Sequence, residues 1–274
     1  MGKCSQLFHP RNFLLSYHQP KHFVTFEWGW PTVYLVWRVF WALYHLTWTI
    51  LTGVYAYEWT TSKANEITWF IYLTHWGYVV LTVSALMEMA ASIHIKCNRP
   101  DITAGQSEEM SVYLKAVWVM VNVSNAASFA ISVLFWGLLY TPAYTLTTAD
   151  VATHALNSFY VLANLIITAV PIRLYHFIHP TIFSVIYIIF TVIYQFAGGK
   201  NGLDKPYIYS VIDWSKPETA ALYGVLAALV LTPLCHVVVF LIYLARRAIF
   251  NACLKREDAD LELEEKKPKN LLNK

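Results

Sequence analysis

Ile67-Thr-Trp-Phe-Ile-Tyr-Leu-Thr-His-Trp-Gly-Tyr-Val-Val-Leu-Thr-Val-Ser-Ala-Leu-Met-Glu-Met-Ala-Ala-Ser-Ile-His-Ile95 carries a single carboxylate, Glu88, and no Lys or Arg from end to end. A helix rises about 1.5 Å per residue, so about 20 apolar residues cross roughly 30 Å of hydrocarbon. This stretch is long enough to do so. Working outward, five further runs have the same character, and together they predict six transmembrane helices near Thr32–Tyr57, Ile67–Ile95, Val112–Tyr140, Val151–Leu174, Ile178–Phe196 and Thr219–Leu244. Only the short stretch Arg173-Leu-Tyr-His-Phe-Ile-His-Pro180 separates the fourth from the fifth. Pro180 suits the first turn of a new helix, where its missing N–H costs nothing.

Composition agrees. Hydrophobic residues make up 57% of the chain and charged residues 14%, against about 45–50% and about 25% in a soluble domain. A net charge of +3 is too small to imply nucleic-acid binding. The expected fold class is therefore all-α: a polytopic membrane protein with one six-helix domain over residues 31–247. Residues 1–30 form an N-terminal segment, and residues 248–274 a charged tail whose alternating Glu/Asp and Lys reads as solvated and disordered. Met1–Glu27 has no continuous apolar core, so the expectation is no cleaved signal peptide, with the first apolar run acting as signal anchor.

Orientation follows from basic residues in short loops. Lys3, Arg11, Lys21, Lys96, Arg99, Lys115, Arg173 and the tail from Arg246 to Lys274 place fifteen on one side, against Lys63, Lys200, Lys205 and Lys216 on the other. Both termini are expected in the cytoplasm. Cys4, Cys97 and Cys253 then face a reducing compartment and Cys235 lies within the sixth helix, which argues against a structural disulfide. Gly2, Cys4, Cys97 and Cys253 are weak lipidation candidates. Trp28, Trp30, Trp59, Trp69 and Trp214 fall near span ends, where aromatic belts form.

Ionisable residues inside a span need a partner or a purpose. Arg38 and Glu88 lie at similar depth on antiparallel helices, so a structural ion pair is expected. Thr74 and His154 lie at one depth near the outer leaflet, and Asn157, three residues after His154, shares its helical face. A hydroxyl, an imidazole and an amide thus converge. That set can perform acyl transfer: Thr74 as nucleophile, His154 as general base and then acid, Asn157 supporting the imidazole or the oxyanion. A membrane Thr often bonds its own i−4 carbonyl, and a lone buried His often only packs, so the spacing alone leaves both readings open. His75 points away round the helix. His45 and His236 raise axial haem ligation, though their depths match loosely. His176 and His179 have metal-pair spacing without a third ligand, and read as solvated interfacial residues. Asn122, Ser124 and Asn125 read as interhelical glue. No metal or cofactor is expected.

Trp69-Phe-Ile-Tyr-Leu-Thr-His-Trp-Gly-Tyr78, His154-Ala-Leu-Asn-Ser-Phe-Tyr160 and Pro171-Ile-Arg-Leu-Tyr175 resemble the rolling stone proteins of insects and other invertebrates. That resemblance implies a role in myoblast fusion, with fusion partner proteins, at the plasma membrane. A more distant likeness is to the androgen-induced and androgen-dependent TFPI-regulating proteins, six-helix membrane hydrolases of fatty acid esters of hydroxy fatty acids. Their Thr follows a Trp-x-Phe-Leu-Thr-like run, matched by Trp69 to Thr74; their His opens a helix, matched by His154 with Asn157. Ala197-Gly-Gly199 and Lys205-Pro-Tyr-Ile-Tyr-Ser210 stand where that family has Thr/Ser-Gly and Tyr-Pro, without the Pro after Tyr. The resemblance implies a threonine–histidine ester hydrolase taking membrane lipid substrates, in plasma membrane or endoplasmic reticulum. A non-enzymatic fusion component is the alternative.

Overall fold

The computed structural model describes residues 9–55, 68–141 and 143–265. Within them the fold is helical, and the only extended pairing is an isolated bridge between Phe26 and Thr168. Six long helical segments form the bundle. The first, α1 (Pro31–Val54), begins with Pro at its first position, where a missing N–H is harmless. Next comes α2 (Leu73–Asn98), followed by α3 (Val112–Leu134), which runs into a π turn at Phe135–Leu139. The fourth, α4, is composite: Thr148–Val151, a π turn at Ala152–Leu156, then Asn157–Ile167. Ile178–Phe196 forms α5. The last, α6, runs from Pro217 through a π turn at Leu226–Leu231 to Glu265. Four segments, Leu73–Asn98, Val112–Leu139, Leu174–Phe196 and Pro217–Arg256, are long and apolar enough to cross a membrane.

The helix α2 packs between α1 and α3. Gly77 allows the closest approach, since a Cβ there would collide with Ile131 Cδ1 on α3. At the far end of α2, the N-terminal segment straps the bundle. Glu27 N–H donates to the Ile167 carbonyl (2.9 Å) and Ala169 N–H to the Thr25 carbonyl (3.0 Å). Arg173 donates to the carbonyls of Leu14 and Ser16, both at 2.6 Å.

This strap explains the largest departure from the expected spans. The segment α4 ends at Ile167, short of Leu174, and residues 168–173 run on without helix. Pro171 disfavours helical backbone at Val170. The carbonyls left open at the helix end are taken by Arg246 of α6, which donates to Leu165 (2.9 Å), Thr168 and Val170 (3.1 Å). Glu27, 8% exposed, balances Arg246 and Arg247.

Three other expectations change. Residues 68–71 form a separate 3-10 turn, so α2 starts at Leu73 and Thr74 lies in its first turn rather than two turns in. The tail is helical as far as Glu265. Its Ala, Leu, Glu and Lys residues are good helix formers that extend an existing helix without a new nucleation cost. His176 is fully buried rather than solvated; it packs edge-on to Trp118 and meets the Asn122 amide at 3.2 Å. Trp59, Lys63, Lys3, Gly2, Cys4 and the last residues of the tail lie outside the described residues.

Candidate active site

The opening of α2 presents the Thr74 hydroxyl to the π turn of α4. Thr74 Oγ1 lies 3.0 Å from His154 Nε2. The other ring nitrogen, Nδ1, is 3.0 Å from the Asp150 carbonyl, which can only accept. It is also 3.2 Å from Thr153 Oγ1, whose own proton goes to the Ala149 carbonyl. Nδ1 therefore carries the proton, and Nε2 offers its lone pair to the Thr74 O–H. That is the tautomer a general base requires. Stacking fixes the ring: the Phe135 centroid is 3.7 Å away at 9°. The backbone of His154 is held as well, with Ser132 Oγ (2.7 Å) and Trp136 Nε1 (3.0 Å) donating to its carbonyl.

Asp150 supplies a second interaction. Its carboxylate Oδ1 is 3.9 Å from His154 Nδ1, close enough to stabilise an imidazolium without being the primary hydrogen-bond partner. A capping box holds it in place. Thr147 donates to it from N–H (2.9 Å) and hydroxyl (2.7 Å), and Asp150 N–H donates back to Thr147 Oγ1 (3.1 Å). Tyr144 O–H adds a further donor at 3.1 Å. Burial, reinforced by the Asp150 charge, pushes the Tyr144 phenol up to about 12, so this donor keeps its proton.

Two cavities meet at Thr74. One is a chamber of about 900 Å³ reached by His154, Asp150, Tyr72 and His75. The other is a slot of about 90 Å³ walled largely by apolar side chains of α3, α5 and α6. Both are lined by Tyr209, from the loop between α5 and α6. The Tyr209 oxygen accepts the Leu73 N–H at 3.1 Å, and its hydroxyl interacts with those of Thr74 and Tyr187. Burial holds the Tyr209 phenol above its usual value. It stays a neutral donor beside the nucleophile.

Of the residues expected to converge, Thr74 and His154 do and Asn157 does not. The Asn157 side-chain oxygen accepts from Ser158 N–H (2.6 Å) and lies 3.3 Å from Ser132 Oγ, whose one proton goes to the His154 carbonyl. The role expected of Asn157, holding the imidazole, falls to the Asp150 carbonyl. The Arg38–Glu88 pair forms at 2.7 Å, both groups buried, and neither residue lines the two cavities. His75 stacks on Trp69 and meets its carbonyl at 2.6 Å. The two histidines considered for haem are held separately, His45 by the Tyr78 hydroxyl (3.1 Å) and His236 by the Arg173 carbonyl (2.9 Å). Among the described residues, no three His, Cys, Asp or Glu side chains gather as metal ligands would.

Asp150 and Tyr209 are the additions that sequence reasoning missed. Asp150 had a signal: Thr147-x-x-Asp150 opening a helix is a capping box, and His154 lies one turn on. All three π turns supply site walls, through Phe135, His154 and Ala227. Such turns concentrate at functional sites.

A family model described as "Protein rolling stone" matches residues 5–256. The protein rolling stone of Drosophila melanogaster is 26% identical over 160 residues, covering 54% of this chain and 57% of that protein. The chain thus aligns with little more than half the length of this relative. No solved structure matches it. A match over residues 5–256 takes in all six helical segments up to Arg256, and with it the paired Thr74 and His154; the chain belongs to the rolling stone family.

Proposed function

We propose that this chain is an integral membrane ester hydrolase acting on long-chain acyl esters, such as fatty acid esters of hydroxy fatty acids. The observation that carries the reading is the 3.0 Å contact of Thr74 with an imidazole held in the basic tautomer, where a chamber meets an apolar slot. In this reading all six helical segments span the bilayer. The arginines Arg173, Arg246 and Arg247, which gather at one end, face the cytoplasm.

Thr74 Oγ attacks the ester carbonyl carbon as His154 Nε2 takes its proton. The Asp150 carboxylate favours the imidazolium so formed, while its carbonyl keeps the ring oriented. Collapse of the tetrahedral intermediate breaks the bond to the alcohol oxygen, which leaves with the proton from Nε2. Water, deprotonated by the same nitrogen, then attacks the acyl carbon; the bond to Thr74 Oγ breaks, Oγ recovers the proton from Nε2, and the fatty acid is released. The Tyr209 phenol donates to the developing oxyanion. Tyr209→Phe accordingly lowers kcat by about 10²-fold or more with a smaller change in KM, as removal of an oxyanion donor does. Steady-state kinetics of the purified variant check this, and an unchanged kcat removes Tyr209 from the chemistry.

The direct test is hydrolysis of a palmitoyl ester of a hydroxy fatty acid by detergent-purified protein, together with labelling by a fluorophosphonate probe. Wild type is expected to turn over and be labelled, and Thr74→Ala to do neither. Equal hydrolysis by Thr74→Ala ends the reading. Family membership supports a second reading, a non-enzymatic component of cell fusion working with partner proteins. Fusion supported undiminished by Thr74→Ala favours it; fusion lost with the hydroxyl favours the hydrolase.

A further inference from the structure

The chamber and the slot differ tenfold in volume, about 900 against about 90 Å³, and the catalytic pair is not placed symmetrically between them. Thr74, Phe135, Leu139 and Tyr209 line both, whereas His154 and Asp150 line only the chamber. Beyond Thr74 the slot runs between Ile131 and Leu134 of α3, Ile188 of α5 and Ala227 of α6. It continues into a crevice of about 20 Å³ whose added walls include Ala127, Ala130 and Phe183 and the hydroxyl residues Ser184 and Thr232. Gly224, one helical turn before Ala227, keeps α6 close to α5, since a Cβ there would meet Ile188 Cγ2 at 3.3 Å.

The route of the proton decides which half of an ester goes where. The leaving alcohol must take its proton from His154 Nε2, so its oxygen has to lie on the chamber side of Thr74. The other substituent on the carbonyl carbon then points away from His154, towards the slot. We infer that the acyl chain of the substrate threads this slot while its alcohol fills the chamber, so the site takes esters that join one unbranched acyl chain to a bulky alcohol. The inference rests on the hydrolase reading. The slot's own lining carries hydroxyls on Thr74, Tyr187, Tyr209 and Tyr223, and the crevice adds Ser184 and Thr232, which bond each other at 2.9 Å; the other walls are mostly hydrocarbon, which is what methylenes inside it meet.

Burying one methylene is worth about fourfold in an equilibrium or rate ratio. For wild-type protein, kcat/KM therefore rises about fourfold per methylene as the acyl group lengthens from acetyl, then levels off once the slot is filled. A methyl branch beside the carbonyl lowers it, while enlarging the alcohol is tolerated. Ala227→Leu narrows the slot and lowers the ratio of long-acyl to short-acyl kcat/KM by about tenfold or more, leaving the ranking of alcohols as in wild type. Ile188→Ala, which widens the slot, shifts preference towards branched or longer acyl groups and keeps the test available if Ala227→Leu does not fold.

The measurement is kcat/KM of detergent-purified protein on two ester series, one varying the acyl chain and one the alcohol. An acyl-length profile unmoved by both variants, or an alcohol ranking that moves instead, overturns the assignment of the slot. No turnover by wild type on any ester, or turnover equal in Thr74→Ala, is a different result and overturns the hydrolase reading itself.

Discussion

His154→Ala lowers ester hydrolysis by about 10²–10⁴-fold, the usual contribution of a positioned general base. The expectation follows from geometry that a packing histidine would not need. Its Nδ1 is satisfied by the Asp150 carbonyl at 3.0 Å, its face is covered by Phe135, and its one remaining polar atom meets the Thr74 hydroxyl. Thr74→Ser retains the hydroxyl and is expected to keep turnover within about tenfold of wild type, whereas Thr74→Ala removes the acyl acceptor. Asp150→Asn separates two functions of Asp150. It keeps the carbonyl that orients the ring but removes the charge 3.9 Å from Nδ1. It should therefore cost less than His154→Ala. Turnover of the four purified variants on one ester decides the matter, with thermal unfolding showing that each remains folded. His154→Ala within about threefold of wild type would reduce the histidine to a packing residue.

Much of this site is legible in the linear chain. The depth of Thr74 in one apolar run and of His154 near the start of another brings them together once adjacent helices are read as antiparallel. The role of Asn157 is not legible, for a definite reason. In a regular α-helix residues i and i+3 share a face, but Ala152–Leu156 is a π turn. Its wider i→i+5 hydrogen bonding turns the chain less per residue, so three residues after His154 the side chain has not come back to the same face. Asn157 meets Ser132 and Ser158 instead. Nothing in the apolar periodicity marks such a turn. The early end of α4 is legible only in part: Pro171 marks a break near Val170, but an end already at Ile167 depends on Arg246 reaching three carbonyls from another helix. Tyr209 belongs to a loop, and its contact with Leu73 crosses more of the chain than local patterning can register. The expected Arg38–Glu88 pair needed only depth and helix direction, and it forms.

That pair carries the largest expected effect on stability. Arg38 Nη2 meets Glu88 Oε1 at 2.7 Å with both side chains buried. The other two nitrogens are directed as well: Nε to Tyr34 Oη (2.9 Å), and Nη1 to Asn164 Oδ1 (2.8 Å) with Tyr160 Oη at 3.5 Å. Tyr160 O–H reaches Glu88 Oε2 at 3.5 Å, so α1, α2 and α4 are joined through one polar cluster. Removing one member of a buried pair leaves an uncompensated charge in a low-dielectric interior and costs about 3–5 kcal/mol. Arg38→Met and Glu88→Leu should each lower the thermal midpoint and the folded yield sharply. The double variant is the informative one, since it removes both charges and substitutes apolar bulk. If charge compensation is the main effect, Arg38→Met with Glu88→Leu recovers most of the midpoint, because a hydrophobic replacement of a buried pair is often neutral or stabilising. If Tyr34, Tyr160 and Asn164 depend on Arg38 as a hydrogen-bond hub, the double variant stays as unstable as Arg38→Met, because their buried polar atoms lose their partner. Thermal unfolding of the three purified variants separates these outcomes, and single variants as stable as wild type would deny the pair any structural role.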